Sequence, residues 1–342
     1  MVKECLDYDI GRIHYIGPDK HPEFTVYKDN KYFRITIGDV RRYPRFYKKY
    51  KARLRKSNHP SHRDLKDAKH SVYRCILKYC VLNKLAPPPT FDYTKIHTVE
   101  DCFNELGVVE WRIDWTKEGG FRLKTPEPIS NGVDFRGVAI PDAVATGYPW
   151  LPAYNLRDIT VKLDPDPKSV IPKKVSLVEQ PNEALYFKML TGRDKLDLIC
   201  SYNEVESYTK LWDSGIYDEP LFLGARVVGV AQDCSKKVFG LLLLYIEGST
   251  LSDVMRDGRP LPDKERRDKW YWQIKNSLKI LHRRDLLWGD PKADNNVLID
   301  VNDDAWLTGF GKNCTAPWVD RRADGTLEGD KQGVRRLKKI LL

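Results

Sequence analysis

Three polar side chains at fixed spacing stand out near the end of the chain. Asp290 is followed by Lys292 two residues later and by Asn295 five residues later, with Asn296 directly after it. An aspartate can take the proton of a substrate hydroxyl, a lysine can hold the phosphoryl group, and an asparagine can bind Mg²⁺. The spacing therefore predicts phosphoryl transfer from ATP, with Asp290 and Lys292 as the catalytic residues.

The predicted metal site has two candidate asparagines for one ligand and no candidate at the usual position of the other. The offset from Asp290 favours Asn295 as the metal-binding asparagine, whereas the spacing to the apolar residues 297–299 favours Asn296. A second aspartate is needed after the next strand to bridge the phosphates through Mg²⁺, and the chain has Gly309 at that position. We therefore expect ATP and Mg²⁺ to be weakly bound cofactors.

Residues 281–311 read LHRRDLLWGDPKADNNVLIDVNDDAWLTGFG and resemble the catalytic loop and metal-binding turn of a protein kinase. They look like the kinase-like proteins of filamentous fungi, whose pattern is close to WGDxKxDNVLID followed by WLIDFG. Further matches to that family are Trp318-Val319-Asp320, Gly325-Thr326, Glu328-Gly329-Asp330 and Gln332-Gly333. The resemblance covers residues 155–342.

This resemblance implies ATP-dependent phosphoryl transfer to serine or threonine of a protein, because Lys292 is similar to the lysine of serine/threonine protein kinases. Gly309 in place of the expected aspartate implies that the transfer is impaired or lost, as in a pseudokinase that acts as a nucleotide-binding scaffold. The alternative is an active, atypical kinase in which another carboxylate, such as Asp294, binds the metal. Either version implies a protein partner or substrate.

A nucleotide site of this class also needs a strand lysine paired with a helix glutamate, because that ion pair fixes the α- and β-phosphates. Lys188 lies in the apolar run 184–189. Glu204 follows sixteen residues later, in a run that resembles the corresponding kinase helix, and Glu206 is the alternative partner. We therefore predict that Lys188 and Glu204 bind the nucleotide phosphates.

The adenine would bind at the hinge between two lobes. Residues 239–246 form a nearly continuous apolar run, which predicts a buried strand. By the kinase resemblance, Leu243 is the gatekeeper, and the backbone from Leu244 to Ile246 hydrogen-bonds the adenine. Residues 164–174, which should close over the phosphates, carry three prolines and two aspartates in place of glycines, and this favours a stiff surface turn.

Residues 155–342 are therefore expected to form an α+β, bilobal protein kinase-like fold, with an N-lobe over 155–246 and a C-lobe over 247–342. Asp330 resembles the buried aspartate that anchors the backbone of the kinase catalytic loop. Only one further helix-compatible run, 332–342, follows that residue. The C-lobe is thus predicted to be minimal, truncated after the helix that carries Asp330.

Local patterns predict the elements that position the catalytic loop. A helix capped by Asp263 should lead into the loop, because apolar residues recur at helical spacing. These residues are Trp270, Ile274, Leu278 and Leu281. Two strand-like runs, 297–300 and 305–308, should form a hairpin after the loop.

Residues 1–150 are predicted to form an N-terminal α+β region. Strands are expected in two hairpins, at 24–28 with 32–37 and at 108–115 with 120–124. Helices are expected from Ser61 to Cys80 and after Thr98. The proline- and glycine-rich residues 126–152 predict the linker to the second domain.

The basic segment 41–56 offers a function of a different class. The chain has a formal net charge of +10, and this segment holds nine basic residues and no acidic residue, with aromatic residues between them. Basic and aromatic residues together suit single-stranded nucleic acid or an anionic membrane surface. A nucleic-acid-binding protein that acts through residues 41–56 is therefore the second alternative.

Cysteine usage and hydropathy predict the compartment. The seven cysteines are odd in number and show no CxxC spacing, which favours a reducing environment over a disulfide framework. No apolar run approaches the ~20 residues of a membrane span. We expect an intracellular protein, cytoplasmic or nuclear, with no membrane span, and the sequence makes no prediction of an oligomeric state.

Overall fold

A computed structural model of the chain shows a mixed α+β protein. It describes residues 9–14, 23–28, 31–37, 96–105, 108–115, 121–124, 138–139, 151–161, 172–190, 195–255, 261–291, 296–311, 318–320, 322–323 and 325–342. The chain divides into two compact units, which are described separately. They comprise Met1–Val133 with Pro165–Val170, and Asp134–Asp164 with Ile171–Leu342.

The first unit contains a five-stranded sheet. Its strands are β1 (Asp9–His14), β2 (Glu23–Lys28), β3 (Lys31–Ile37), β4 (Val108–Trp115) and β5 (Phe121–Lys124), in that order across the sheet. Neighbouring strands are antiparallel except β3 and β4, which run parallel. The two predicted hairpins, β2 with β3 and β4 with β5, are confirmed, whereas β1 was not predicted.

Helix α1 (Val99–Glu105) lies in the chain between the parallel strands β3 and β4, which need a crossover connection. Thr98 Oγ1 accepts a hydrogen bond from the Asp101 amide at 3.2 Å, and the Thr98 amide donates to Asp101 Oδ2 at 2.8 Å. This reciprocal cap satisfies amides that the first helical turn leaves without partners. The helix predicted after Thr98 is confirmed.

The second unit begins with a six-stranded sheet. Its strands are β6 (Ala153–Asn155), β7 (Ile159–Val161), β8 (Lys174–Leu177), β9 (Gln180–Met189), β10 (Val227–Gln232) and β11 (Val238–Leu244). The order across the sheet is β6-β10-β11-β9-β8-β7. The neighbours are antiparallel except β6 and β10. Helix α2 (Lys195–Asp213) connects β9 to β10 in the chain.

Helices and a small sheet make up the rest of this unit. The helices are α3 (Leu251–Val254), α4 (Lys264–Arg283) and α5 (Leu327–Leu341). The strands are β12 (Gly248–Thr250), β13 (Val297–Asp300) and β14 (Ala305–Leu307), antiparallel in that order. The predicted hairpin after the catalytic loop is therefore confirmed.

Helix α4 forms as its sequence pattern predicts. The Asp263 carboxylate accepts a hydrogen bond from the Arg266 amide at 2.8 Å and so caps the first turn. The four residues of the predicted stripe are buried in the hydrophobic core of the second unit, together with residues of β11, β14 and α5. The buried stripe stabilises α4, because most helical stability in proteins comes from tertiary packing of an apolar face.

The helix expected to carry Asp330 is α5, which begins at Leu327 after the cap Thr326 and ends at Leu341. Several other predictions fall on residues outside the described ranges. The basic segment 41–56, the helix from Ser61 to Cys80 and residues 164–171 of the expected phosphate lid lie outside the described residues.

Candidate functional site

Lys188 of β9 and Glu204 of α2 form an ion pair. The Glu204 side chain is 8% exposed and that of Lys188 is 28% exposed, so water screens this pair only in part. Glu206, the alternative partner, instead pairs with Lys210 one helical turn later. The predicted pairing is present in the structure, and its role in phosphate binding stays a prediction.

The turn 309–311, which follows β14, lies directly against helix α2. A Cβ built on Gly311 would lie 3.3 Å from Cα of Glu204. Phe310 is buried, and its ring packs edge to face against that of Tyr208 of α2, with the centroids 5.5 Å apart. The ion pair and the turn that carries Gly309 are therefore parts of one assembled site.

Gly309 has a left-handed backbone, with φ of +67°. A Cβ on this residue would lie 2.6 Å from Cγ and Oδ1 of Asn296. Asn296 donates from Nδ2 to the Asp290 carbonyl at 2.8 Å, and its own carbonyl accepts a hydrogen bond from the Thr308 amide at 2.9 Å. Asn296 thus fills the space between Gly309 and the backbone at Asp290.

The turn at Gly309 brings no carboxylate to the expected Mg²⁺ site. Mg²⁺ prefers oxygen ligands and is usually held through one or two carboxylates, and Gly309 supplies none. Within the ranges that the structure describes, no group of three or more His, Cys, Asp or Glu side chains could hold a metal ion. Of the two candidate asparagines, Asn296 is described beside Gly309, whereas Asn295 lies outside the described residues, as do Lys292 and Asp294.

Asp330 of α5 holds the backbone that precedes Asp290. The Asp330 side chain is completely buried, and its Oδ2 and Oδ1 accept hydrogen bonds from the amides of Trp288 and Gly289, both at 2.9 Å. Nε2 of His282 lies 3.0 Å from the same Oδ2. The structure therefore contains the anchor expected of Asp330, and a buried carboxylate with three such partners fixes the course of the loop.

Trp288 connects this anchored loop to the turn. Its indole Nε1 donates to the Thr308 carbonyl at 2.8 Å, and its own carbonyl accepts a hydrogen bond from the Gly311 amide at 3.3 Å. The side chain is fully buried. Sequence reasoning missed this role, and the available signal was a tryptophan directly before Gly289 and Asp290.

The structure describes the hydrogen bonds of two backbone amides at the expected hinge. The Leu244 amide donates to the Arg226 carbonyl at 2.8 Å, and the Tyr245 amide donates to the Ala184 carbonyl at 3.2 Å. These two amides are therefore used within the protein, and the contact of the backbone from Leu244 to Ile246 with adenine stays a prediction.

Comparisons with known proteins assign no family to the chain. No protein family model matches the chain, and no curated protein matches it. None of the helices in the described part of the chain is long and apolar enough to cross a membrane.

Proposed function

We propose that residues 155–342 are a protein kinase-like domain in which phosphoryl transfer is impaired or lost, and that this domain serves as a scaffold for a protein partner. The activity of the class is ATP-dependent transfer to serine or threonine of a protein. The loop of Asp290, the ion pair of Lys188 and the turn at Gly309 are the parts of that machinery. The scaffold role is proposed because the turn at Gly309 lacks a metal-binding carboxylate.

The arrangement of the sheet and helix supports a kinase-like N-lobe. Strands β7, β8, β9, β11 and β10 are successive neighbours, and α2, which follows β9, carries the glutamate that pairs with the lysine of β9. A lysine held in this way can hold phosphates, because its ammonium is fixed by a partly buried carboxylate. The chain then continues from β11 into β12 and the helical part of the unit, which carries Asp290.

Gly309 is the observation that carries the proposal. The residue opens a turn that contacts α2 and Asn296, as a metal-binding turn should, yet it has no side chain to hold a cation. Losing one preorganised group that stabilises charge typically lowers an enzymatic rate by ~10²–10³. The turn therefore lacks the carboxylate that this class uses for metal-assisted transfer.

An ion pair and hydrogen bonds between protein groups hold this site together. The ion pair, the Asp330 anchor and the Trp288 hydrogen bonds each join two elements of the same unit. Such a network keeps the domain in one shape without turnover, and a fixed surface of this kind is what a partner protein can recognise.

The test is a transfer assay with ATP that carries a radiolabelled γ-phosphate. Wild-type protein, Asp290→Asn and Lys188→Ala are incubated with Mg²⁺ or Mn²⁺, and label on the protein itself and on a general acceptor such as myelin basic protein is counted. We expect the same background signal from all three proteins. Label that is present with wild-type protein and lost in Asp290→Asn would overturn the proposal and favour the atypical active kinase.

A further inference from the structure

The side chains of Tyr186 and Lys188 lie on the same face of strand β9. Side chains alternate along a strand, so Tyr186 lies on the face of Lys188, while Leu185 and Phe187 point to the other face. Leu185 and Phe187 are each 1% exposed, whereas Tyr186 and Lys188 are only partly buried, which agrees with this alternation.

The pairing of β9 with β11 fixes where Tyr186 lies. Lys188 pairs with Leu241, and Tyr186 pairs with Leu243, the predicted gatekeeper. The next pairing step leads to the hinge, where the Tyr245 amide donates to the Ala184 carbonyl. Along β9 the backbone of Tyr186 therefore lies between the hinge and Lys188, about 7 Å from the lysine.

The surroundings of Tyr186 show that its ring is packed in place. The side chain packs against the hydrophobic core, which includes Leu243. Burial raises the pKa of the Tyr186 hydroxyl, and the nearby charge of Lys188 opposes that rise in part. The ring is therefore a neutral, partly buried group close to the phosphate-binding lysine.

We propose that the ring of Tyr186 takes the position of a purine base between the hinge and Lys188, so that the cleft excludes adenine nucleotides. The inference rests on the proposed function, which assigns the hinge and Lys188 to a nucleotide-type cleft. A base would have to lie beside the hinge while its phosphates reach Lys188, and the strand register places Tyr186 on that path. A smaller residue at this position would open the base site.

The test uses adenosine, which has no phosphate and so depends neither on a metal ion nor on Lys188. Binding to wild-type protein, Tyr186→Ala, Tyr186→Val and Tyr186→Phe is measured by isothermal titration calorimetry. We expect the two small replacements to bind adenosine at least tenfold more tightly than wild-type protein. Tyr186→Phe should behave as wild type, because it keeps the ring.

Tyr202→Ala is the matched control. Tyr202 is also a partly buried tyrosine of this unit, but its hydroxyl donates to the Ala139 carbonyl, and its truncation should give no gain. Wild-type protein that binds adenosine as tightly as Tyr186→Val would overturn the inference, as would folded Tyr186→Ala and Tyr186→Val proteins that gain nothing. Neither result tests the proposed loss of phosphoryl transfer. That proposal is overturned only if label transfer depends on Asp290.

Discussion

The side chain of Asn296 occupies the space that a side chain at position 309 would need. The glycine has a positive φ, and an added Cβ would lie 2.6 Å from the Asn296 amide group. The amide is itself held by the Asp290 carbonyl. A residue with a side chain at position 309 must therefore both adopt a left-handed backbone and displace Asn296.

A double-mutant cycle tests this coupling. Gly309→Ala should lower the free energy of unfolding by about 1–3 kcal/mol, because backbone strain adds to the overlap with Asn296. In an Asn296→Ala background the same change should be less destabilising by at least about 0.5 kcal/mol, since only the strain is left. Urea denaturation measures both values, and additive effects would show that the two positions are independent.

Asp330 is the residue whose removal should cost the most stability. Asp330→Ala leaves the buried amides of Trp288 and Gly289 without their acceptor. We expect the free energy of unfolding to fall by about 2–5 kcal/mol, because each unsatisfied buried donor costs about 1–3 kcal/mol.

Glu328→Ala, on the same helix, is the matched control for this loss. Glu328 forms an exposed ion pair with Arg335, and such pairs contribute about 0–1 kcal/mol. Equal losses in the two variants, measured by urea denaturation, would contradict the anchoring role of Asp330.

At the scale of elements, α4 and α5 show what the sequence can and cannot predict. Helix α4 was predicted because its cap and its apolar stripe are local patterns. The sequence predicted a helix that carries Asp330 but not the residue at which α5 begins, because Gly329 and Gly333 lower helix propensity. The structure supplies the reason for the second glycine: a Cβ on Gly333 would lie 2.2 Å from Cβ of Pro291, so the glycine lets the helix approach the loop next to Asp290.

The same limit applies to the candidate site. The identity of Gly309 and the pairing of Lys188 with Glu204 follow from residue types and spacing. The contact of Gly309 with Asn296, the anchor at Trp288 and the position of Tyr186 depend on how separate elements pack. No local pattern along the chain encodes such contacts.

Gly333→Ala tests the close approach of α5 to the loop. Helix propensity alone predicts a gain of about 1 kcal/mol, but the overlap with Pro291 should reverse it and destabilise the protein by about 1–3 kcal/mol. Thermal and urea denaturation measure the change, and Lys331→Ala at an exposed position of the same helix should stay within about 0.5 kcal/mol of wild type. A stabilised Gly333→Ala protein would contradict the contact.

For the whole molecule, the second unit extends further towards the N-terminus than the kinase-like motifs do. Val138 and Val238 exchange backbone hydrogen bonds at 2.6 and 3.0 Å, and Leu151 is buried in the same core. Strand β6 adds a parallel neighbour to β10. These residues belong to the fold of the unit although no catalytic motif includes them.

Two fragments test this extension. A fragment of residues 134–342 should unfold cooperatively, whereas a fragment of residues 155–342 lacks Val138, Leu151 and most of β6. We expect the shorter fragment to be less stable by about 3–6 kcal/mol, because two buried aliphatic side chains each contribute about 1.5–3 kcal/mol. Equal urea midpoints would show that the unit begins at residue 155.

A crystal structure of the whole protein soaked with ATP and Mg²⁺ tests the central claim most directly. The claim is that the cleft keeps its ion pair and anchored loop but lacks the means to hold the metal and the base. We predict that Lys188 stays paired with Glu204, that the Asn296 amide stays on the Asp290 carbonyl, and that no metal ion binds between Asn296 and Gly309. A magnesium ion held there by a carboxylate, with its nucleotide seated at the hinge, would contradict the account.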